Sequence, residues 1–279
     1  MSEPLNQLLD YLRRLRRPED GNAWMRLQTH ESLARYAIEE AYELDQAIAD
    51  GADPALCSEL GDLLLQSTLH AVLAEERGAF SFDDVARTIL EKLRQRHGIV
   101  HVATSAQDYR QRWEAQKQRE RAQDGATSAL DGIALALPAL DRAKKLQARA
   151  ALSGFDWRDA TGPRAKVLEE LAEIDEACAR QDRVAIADEI GDLLFACVNL
   201  ARKLEIDPET ALRRANDKFR QRFLAAERLA AQDGHALAAL DEAALDHYWR
   251  RAKALLSAAR AQDSNEESPS ATPAGVSTT

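Results

Sequence analysis

Apolar residues recur three and four apart along almost the whole chain, and Gly and Pro residues cut that pattern into segments. Glu31–Ala49, Pro54–Arg77 and Phe82–His97 each show this spacing, which predicts three amphipathic helices. Gly51 and Asp53-Pro54 part the first from the second, and Gly78 stands where the second would be capped. The β-branched stretch Gly98–Thr104 reads as a loop before a helix over Ala106–Arg121. Further helices are predicted over Pro138–Ala151, Arg164–Arg180, Val184–Leu204, Glu209–Ala231 and Leu240–Ala261. Thr161 is the expected N-cap of the second of these, with Pro163 in its first turn.

The pattern repeats. Glu39, Glu40, Glu43, Glu59 and Asp62 return 130 positions later as Glu169, Glu170, Glu173, Glu189 and Asp192, and Gly61-Asp62-Leu63-Leu64 returns as Gly191-Asp192-Leu193-Leu194. Lys92 and Arg96 recur as Lys218 and Arg222, and Trp24 and Trp157 each precede an acidic block. Two copies of one helical unit follow. The expected organisation is all-α: a first domain over residues 1–121, a linker over 122–135 around Asp124–Ser128, a second domain over 136–261, and a Ser-, Pro- and Thr-rich tail over 262–279 expected to be disordered.

Composition supports helices, since Ala, Leu, Glu, Arg and Gln dominate and Gly is sparse. A net charge of −10 argues against a nucleic-acid partner. No stretch approaches 18 apolar residues, and Cys57, Cys178 and Cys197 form no C-x-x-C pair, which points to a cytoplasmic protein without a membrane partner. The basic run Arg13, Arg14, Arg16, Arg17 reads as a solvated helix end. His97 and His101 are four apart, but Gly98 argues against a helical metal pair. The other histidines show no clustering, and Trp113 reads as a core residue.

The acidic blocks carry the chemistry. On a helix Glu170 and Glu173 share a face, as do Glu189 and Asp192. In an antiparallel hairpin, Glu173 and Glu189 lie equally far from position 181, and so do Glu170 and Asp192, so both pairs meet at neighbouring levels. The first copy is centred in the same way on Gly51. Clustered carboxylates repel one another unless a cation intervenes, and a hard ion such as Mg²⁺ seeks oxygen ligands. The apolar neighbours Leu63, Leu64, Leu193, Leu194 and Phe195 place the carboxylates beside a core. Lys166, one turn before Glu170, and the pair Lys218 and Arg222 suit phosphate groups, so a metal-bound phosphorylated ligand is expected.

The strings Ile38–Leu44 (IEEAYEL) and Ser58–Leu65 (SELGDLLL), with Leu168–Ile174 (LEELAEI), Asp188–Phe195 (DEIGDLLF) and Arg214–Phe223 (RANDKFRQRF), resemble the MazG family of nucleoside triphosphate pyrophosphohydrolases, in particular its tandem two-domain members. The resemblance covers nearly everything from Leu5 to about Ala258. It implies two four-helix-bundle-like domains, a homodimer, and Mg²⁺-dependent cleavage (Mn²⁺ as an alternative) of NTP or dNTP to the monophosphate and pyrophosphate, a reaction suited to clearing aberrant nucleotides. It assigns Glu170, Glu173, Glu189 and Asp192, and in the first domain Glu40, Glu43, Glu59 and Asp62, as metal ligands. Lys166, Lys218 and Arg222 would contact phosphates, and Trp249 would pack on or near the nucleotide. Glu169 is the candidate to orient or deprotonate the attacking water.

The first domain departs from the family pattern, with Asn22-Ala23-Trp24-Met25 where the family often has C-P-W-D, and Arg96-His97-Gly98-Ile99-Val100-His101 where it tends to R-H-P-H-V-F. The second domain is therefore the expected catalyst. The alternatives are a nucleotide-binding or regulatory helical module without turnover, and a helical scaffold whose acidic grooves bind a basic partner.

Overall fold

The computed structural model describes residues 3–100, 105–123 and 125–266, and among them every regular element is helical. The chain divides into two compact units, residues 1–119 and 120–279. The first holds α1 (Glu3–Leu15), the short α2 (Ala23–Arg26), α3 (His30–Asp50), α4 (Asp53–Glu76), α5 (Phe82–Val100) and most of α6 (Ala106–Gln123). The second holds α7 (Ala139–Leu152), α8 (Thr161–Ala179), α9 (Arg183–Lys203), α10 (Pro208–Gln232), a 3₁₀ turn at Leu237–Ala239, and α11 (Glu242–Glu266).

A helical hairpin organises each unit, α3 against α4 and α8 against α9. Thr29 caps α3 reciprocally with Ser32, and Gly51 closes it in the left-handed conformation at φ 70°. The second hairpin turns on Gln181, which adopts φ 54° in the equivalent position, and Asp182 then caps α9 through the N–H groups of Val184 and Ala185. The hairpin centres expected at positions 51 and 181 are thus the turns observed. A side chain carries a steric cost in that backbone region, which glycine escapes.

The core of the first unit joins Leu9 and Leu12 of α1 to Leu33 of α3 and Leu69, Val72 and Leu73 of α4, with Met25, Leu65 and Phe82 packed around them. Each fully buried leucine contributes about 2 kcal/mol. In the second unit Ala225, Ala226 and Ala230 of α10 close against Tyr248 and Ala252 of α11. Small residues let those two helix backbones approach closely.

Several expectations change. The helix of Phe82 runs on through Gly98 to Val100, so the expected loop begins later; the side chains of 97–100 and residues 101–104 lie outside the described residues, and the His97–His101 pairing with them. Thr161 is the first residue of α8 rather than its N-cap, because Asp159 accepts its N–H at 2.9 Å. The last helix extends to Glu266, which takes up residues 262–266 of the expected tail; 267–279 lie outside the described residues.

The basic run is not simply solvated. The Arg16 side chain is 9% exposed, donates to Glu76 of α4 at 2.5 and 2.8 Å and to the Met25 carbonyl, and so pins α1 to α4 and α2. Arg13 donates to Glu75 at 3.0 and 3.1 Å. His30 and His70 also cluster, their Nδ1 atoms 2.7 Å apart, and burial together with the neighbouring ring lowers the His70 pKa. Trp113 is half-buried rather than core, with the Arg96 guanidinium 5.0 Å from its ring centre.

Candidate active site

Turning at Gln181, the second hairpin brings carboxylate oxygens of Glu170, Glu173 and Glu189 within 4.8 Å of one another. Glu170 is 2% exposed. Its Oε1 meets the Lys166 ammonium at 2.6 Å, while its Oε2 is buried without a partner. Lys166 also reaches Glu169 at 2.8 Å, and Glu169 itself is exposed. The ammonium, aided by hydrogen bonds from its neighbours, holds Glu170 below the usual carboxylate range against the pull of burial. Glu173 is pushed up by its hydrogen bond with Glu170, by burial and by that negative charge. Asp192, one turn beyond Glu189, is exposed and stands outside the 4.8 Å group.

In the first unit Glu40, Glu43 and Glu59 converge within the same 4.8 Å, with Asp62 again outside the group. Its surroundings differ. Tyr36 occupies the place of Lys166, and Gln66 that of Ala196. Without the lysine, burial and then the charges of Asp62 and Glu43 raise the Glu40 pKa, opposed by the Gln66 amide.

Of the predicted phosphate-binding residues, Lys166 stands at the carboxylates, whereas the other two fall elsewhere on the second unit. Lys218 and Arg222 gather with Lys253 along a narrow cleft between α10 and α11, and no described hydrogen bond or ion pair engages either of them. Trp249 lies in a neighbouring cavity of about 360 Å³, its ring 5.4 Å from that of Phe219. No described contact joins these three residues to the carboxylates of α8 and α9. Three of the apolar neighbours are not core either: Leu64 is 41% exposed, Leu194 54% and Phe195 43%, while Leu63 and Leu193 are half-buried.

Sequence reasoning missed a further cavity. It measures about 510 Å³ and lies in the second unit among α7, α9 and the loop before α8, walled by Leu146, Ala150, Phe155, Trp157, Phe195 and Asn199. Trp157 is packed so closely on Gly162 that a β-carbon there would meet the indole at 2.3 Å. The available signal was periodicity, because Glu189, Asp192, Phe195, Asn199 and Arg202 form one stripe of α9.

With this geometry in view, comparison with known proteins is decisive. A profile of the MazG nucleotide pyrophosphohydrolase domain matches residues 28–101 and 161–223, spanning both hairpins. The chain is 45% identical over 247 residues to the nucleoside triphosphate pyrophosphohydrolase/pyrophosphatase MazG of Thermotoga maritima, covering 88% of this chain and 94% of that protein. The chain belongs to the MazG family. It is also 42% identical over 254 residues to the nucleoside triphosphate pyrophosphohydrolase of Escherichia coli K12, covering 89% and 97% of the two chains. Over 246 residues it is 42% identical to the uncharacterised YabN protein of Bacillus subtilis, of which it covers half. Among the described residues no helix is long and apolar enough to cross a membrane.

Proposed function

We propose that this protein is a divalent-metal-dependent nucleoside triphosphate pyrophosphohydrolase that releases a nucleoside monophosphate and pyrophosphate, and that its second unit is the principal catalyst. The observation that carries the reading is the convergence of Glu170, Glu173 and Glu189 around a buried carboxylate whose second oxygen has no partner. An all-oxygen donor set of this kind fits Mg²⁺, with Mn²⁺ as a substitute.

Glu170, Glu173 and Glu189 would hold the metal, and Asp192, one turn along α9, would complete the set as the triphosphate enters. The bound ion supplies charge neutralisation of the triphosphate and lowers the pKa of a coordinated water. Lys166 stands in for a cation at Glu170 and would be free to meet a phosphate oxygen once a metal is held there. Glu169, freed from Lys166, orients the water and accepts its proton. A bond forms from the water oxygen to Pα and the bond from Pα to the β-bridging oxygen breaks, so pyrophosphate leaves. Lys218 and Arg222 neutralise the charge that develops, and Trp249 packs on or near the nucleotide. Both deoxy and ribo substrates fall within this chemistry, with clearance of aberrant nucleotides as the physiological use.

The first unit keeps Glu40, Glu43, Glu59 and Asp62 as a second cation site but has tyrosine in place of Lys166, which favours nucleotide or metal binding without efficient turnover there. Leu168, Leu171, Ile190 and Leu194 are 44–55% exposed along the second hairpin, an apolar surface suited to a second copy of the chain in a homodimer. Incubation of the purified protein with NTPs and Mg²⁺ tests the reading. Monophosphate with pyrophosphate supports it; diphosphate with orthophosphate means another hydrolase, and absence of product leaves a binding module.

A further inference from the structure

His30 opens α3 and His70 lies in the second half of α4, so the pair spans the first hairpin at the end away from its turn at Gly51. Their Nδ1 atoms stand 2.7 Å apart, the ring centres are 5.1 Å apart, and the ring planes differ by 8°. Two imidazole radii and the gap between the nitrogens account for that whole centre-to-centre distance. Both nitrogens therefore lie on the line joining the rings, and the rings meet edge to edge and nearly coplanar. Each Nδ1 aims its in-plane lone pair or its N–H straight at the other, so one donates and the other accepts.

The gap fits a proton and not a metal ion. Zn²⁺ takes histidine nitrogens at about 2.0–2.1 Å, which would set two in-line nitrogens about 4 Å apart. Burial gives the bond its direction. Nε2 of His30 is buried without a partner. A buried N–H without an acceptor is rarer than a buried acceptor without a donor, so His30 carries its hydrogen on Nδ1 and donates to Nδ1 of His70. One added proton, on Nε2 of His30, keeps that bond. A second puts a hydrogen on both facing nitrogens and like charges on both rings, and the rings must part. Burial and then the His30 ring lower the His70 pKa, and among the described residues no carboxylate acts on it. The charges nearby are engaged elsewhere. Glu31 of α3 is held chiefly by a backbone N–H and Thr29, with smaller effects from His30 and from Arg77 of α4. Glu75 and Glu76 of α4 take Arg13 and Arg16 of α1, and Asp84 of α5 takes Ser81 and Arg87.

The pair stands where separation has consequences. Leu33, nearly one turn after His30, and Leu69, next to His70, are both buried in the leucine core. Just before His30, the carbonyls of Met25 and Gln28 accept from Arg16, which ties this end of the hairpin to α1 and α4. Parting the rings frees the first turn of α3 from α4. The second hairpin has no counterpart, because Ala160 and Leu200 stand 130 positions after the two histidines.

We propose that His30 and His70 form a pH-operated latch on the first unit, closed at neutral pH by their shared hydrogen and opened by double protonation, so that mild acid loosens the α3–α4 hairpin and not the α8–α9 hairpin. The latch is independent of the catalytic chemistry of the second unit. With His70 titrating below its ordinary value of 6.5, the closed state keeps its full stability above that pH. It loses stability as pH falls towards the folded-state value, by up to about tenfold per pH unit for each proton taken up on opening. Hydrogen exchange of the full chain, read by mass spectrometry near pH 7.5 and pH 5 and corrected for the intrinsic rate at each, tests the latch. Protection of the peptides that hold Leu33 and Leu69 is expected to fall at least fivefold on acidification, and that of the matching α8 and α9 peptides less than twofold. His70→Asn places Oδ1 where Nδ1 was, still accepts from His30 and cannot be charged; His30→Asn makes the corresponding change on α3. Either variant should keep protection near pH 7.5 within threefold of wild type and shrink the acid fall below twofold. Nitrogen NMR of the histidine-labelled wild-type chain needs no variant: one ring of the pair should be the Nδ1–H tautomer and the other the Nε2–H tautomer at neutral pH. A wild-type hairpin whose protection does not fall in acid overturns the latch, as do an asparagine variant that keeps the wild-type fall and two rings of the same tautomer. One equivalent of Zn²⁺ bound at neutral pH and lost in both variants would make the pair a metal site and overturn it too.

Discussion

Lys166 and Glu170 show at the scale of single residues how the site is prepared before metal arrives. A carboxylate 2% exposed needs a counter-charge, and the ammonium at 2.6 Å provides one from the preceding turn. Glu173 has no such counter-charge beside it: its hydrogen bond to Glu170, then burial and the neighbouring negative charge, raise its pKa. On the proposed reading, removing the Glu173 charge relieves the metal-free fold and deprives the metal of a ligand. Glu173→Gln is therefore expected to lower NTP cleavage at least 100-fold, with a metal-free Tm equal to or above wild type and a smaller rise in Tm on adding Mg²⁺. Thermal melts with and without metal, beside a product assay, check both halves of this statement.

Hairpin geometry is the decisive feature at the scale of elements. Gln181 occupies the left-handed conformation that Gly51 takes in the first unit. Gln181→Gly is expected to stabilise the second unit by about 0.5–1 kcal/mol, seen as a higher urea midpoint with unchanged cleavage; a lower midpoint would show that the glutamine contributes more than its backbone costs. A second element-level device joins α7 to the start of α10. Asp207 caps α10 through the Thr210 N–H at 2.9 Å and pairs with Lys144 of α7, and the lysine hydrogen bond first, then the Thr210 N–H, lower its pKa to about 2. A depressed carboxylate stabilises the fold above its ordinary value near 3.8, and the contribution disappears as pH falls from about 4 towards 2. Both side chains are 39% exposed, so solvent screening reduces the pair to about 1 kcal/mol. Lys144→Met should cost about that much at pH 7 and flatten the acid limb of a stability profile between pH 4 and 2.

For the whole molecule, duplication has produced two carboxylate sites with different surroundings. The second has Lys166 and an open cavity beside it; the first has Tyr36 and a leucine-filled core. Paired variants in the full chain distinguish them. Glu173→Gln with Glu189→Gln should abolish cleavage, whereas Glu43→Gln with Glu59→Gln should leave at least half of it and remove one Mn²⁺ per chain from titrations followed by electron paramagnetic resonance. Loss of cleavage in the second pair would make the first unit a catalyst as well.

The helices from α3 onward, the twofold repetition and the hairpin centres at 51 and 181 were legible in the sequence, because helical periodicity and turn chemistry are local and leave their mark within a few residues; α1 and α2 had no predicted range. The acidic groups were legible for the same reason, since spacing along a helix fixes which carboxylates share a face. Exposure could not be read in this way. Leu194 looks like a core residue in a string of apolar letters, yet it is exposed; Arg16 looks solvated, yet its side chain is largely covered. The cavity was hidden too, because its walls come from α7, α9 and the loop at Phe155–Trp157, which are distant in sequence and meet only by packing. By itself the sequence determined two all-α units of the MazG family with paired carboxylates. Only the tertiary structure decided which carboxylate is buried against a lysine and which unit leaves room beside it, since burial and empty space are properties of how helices pack against one another and not of any one helix.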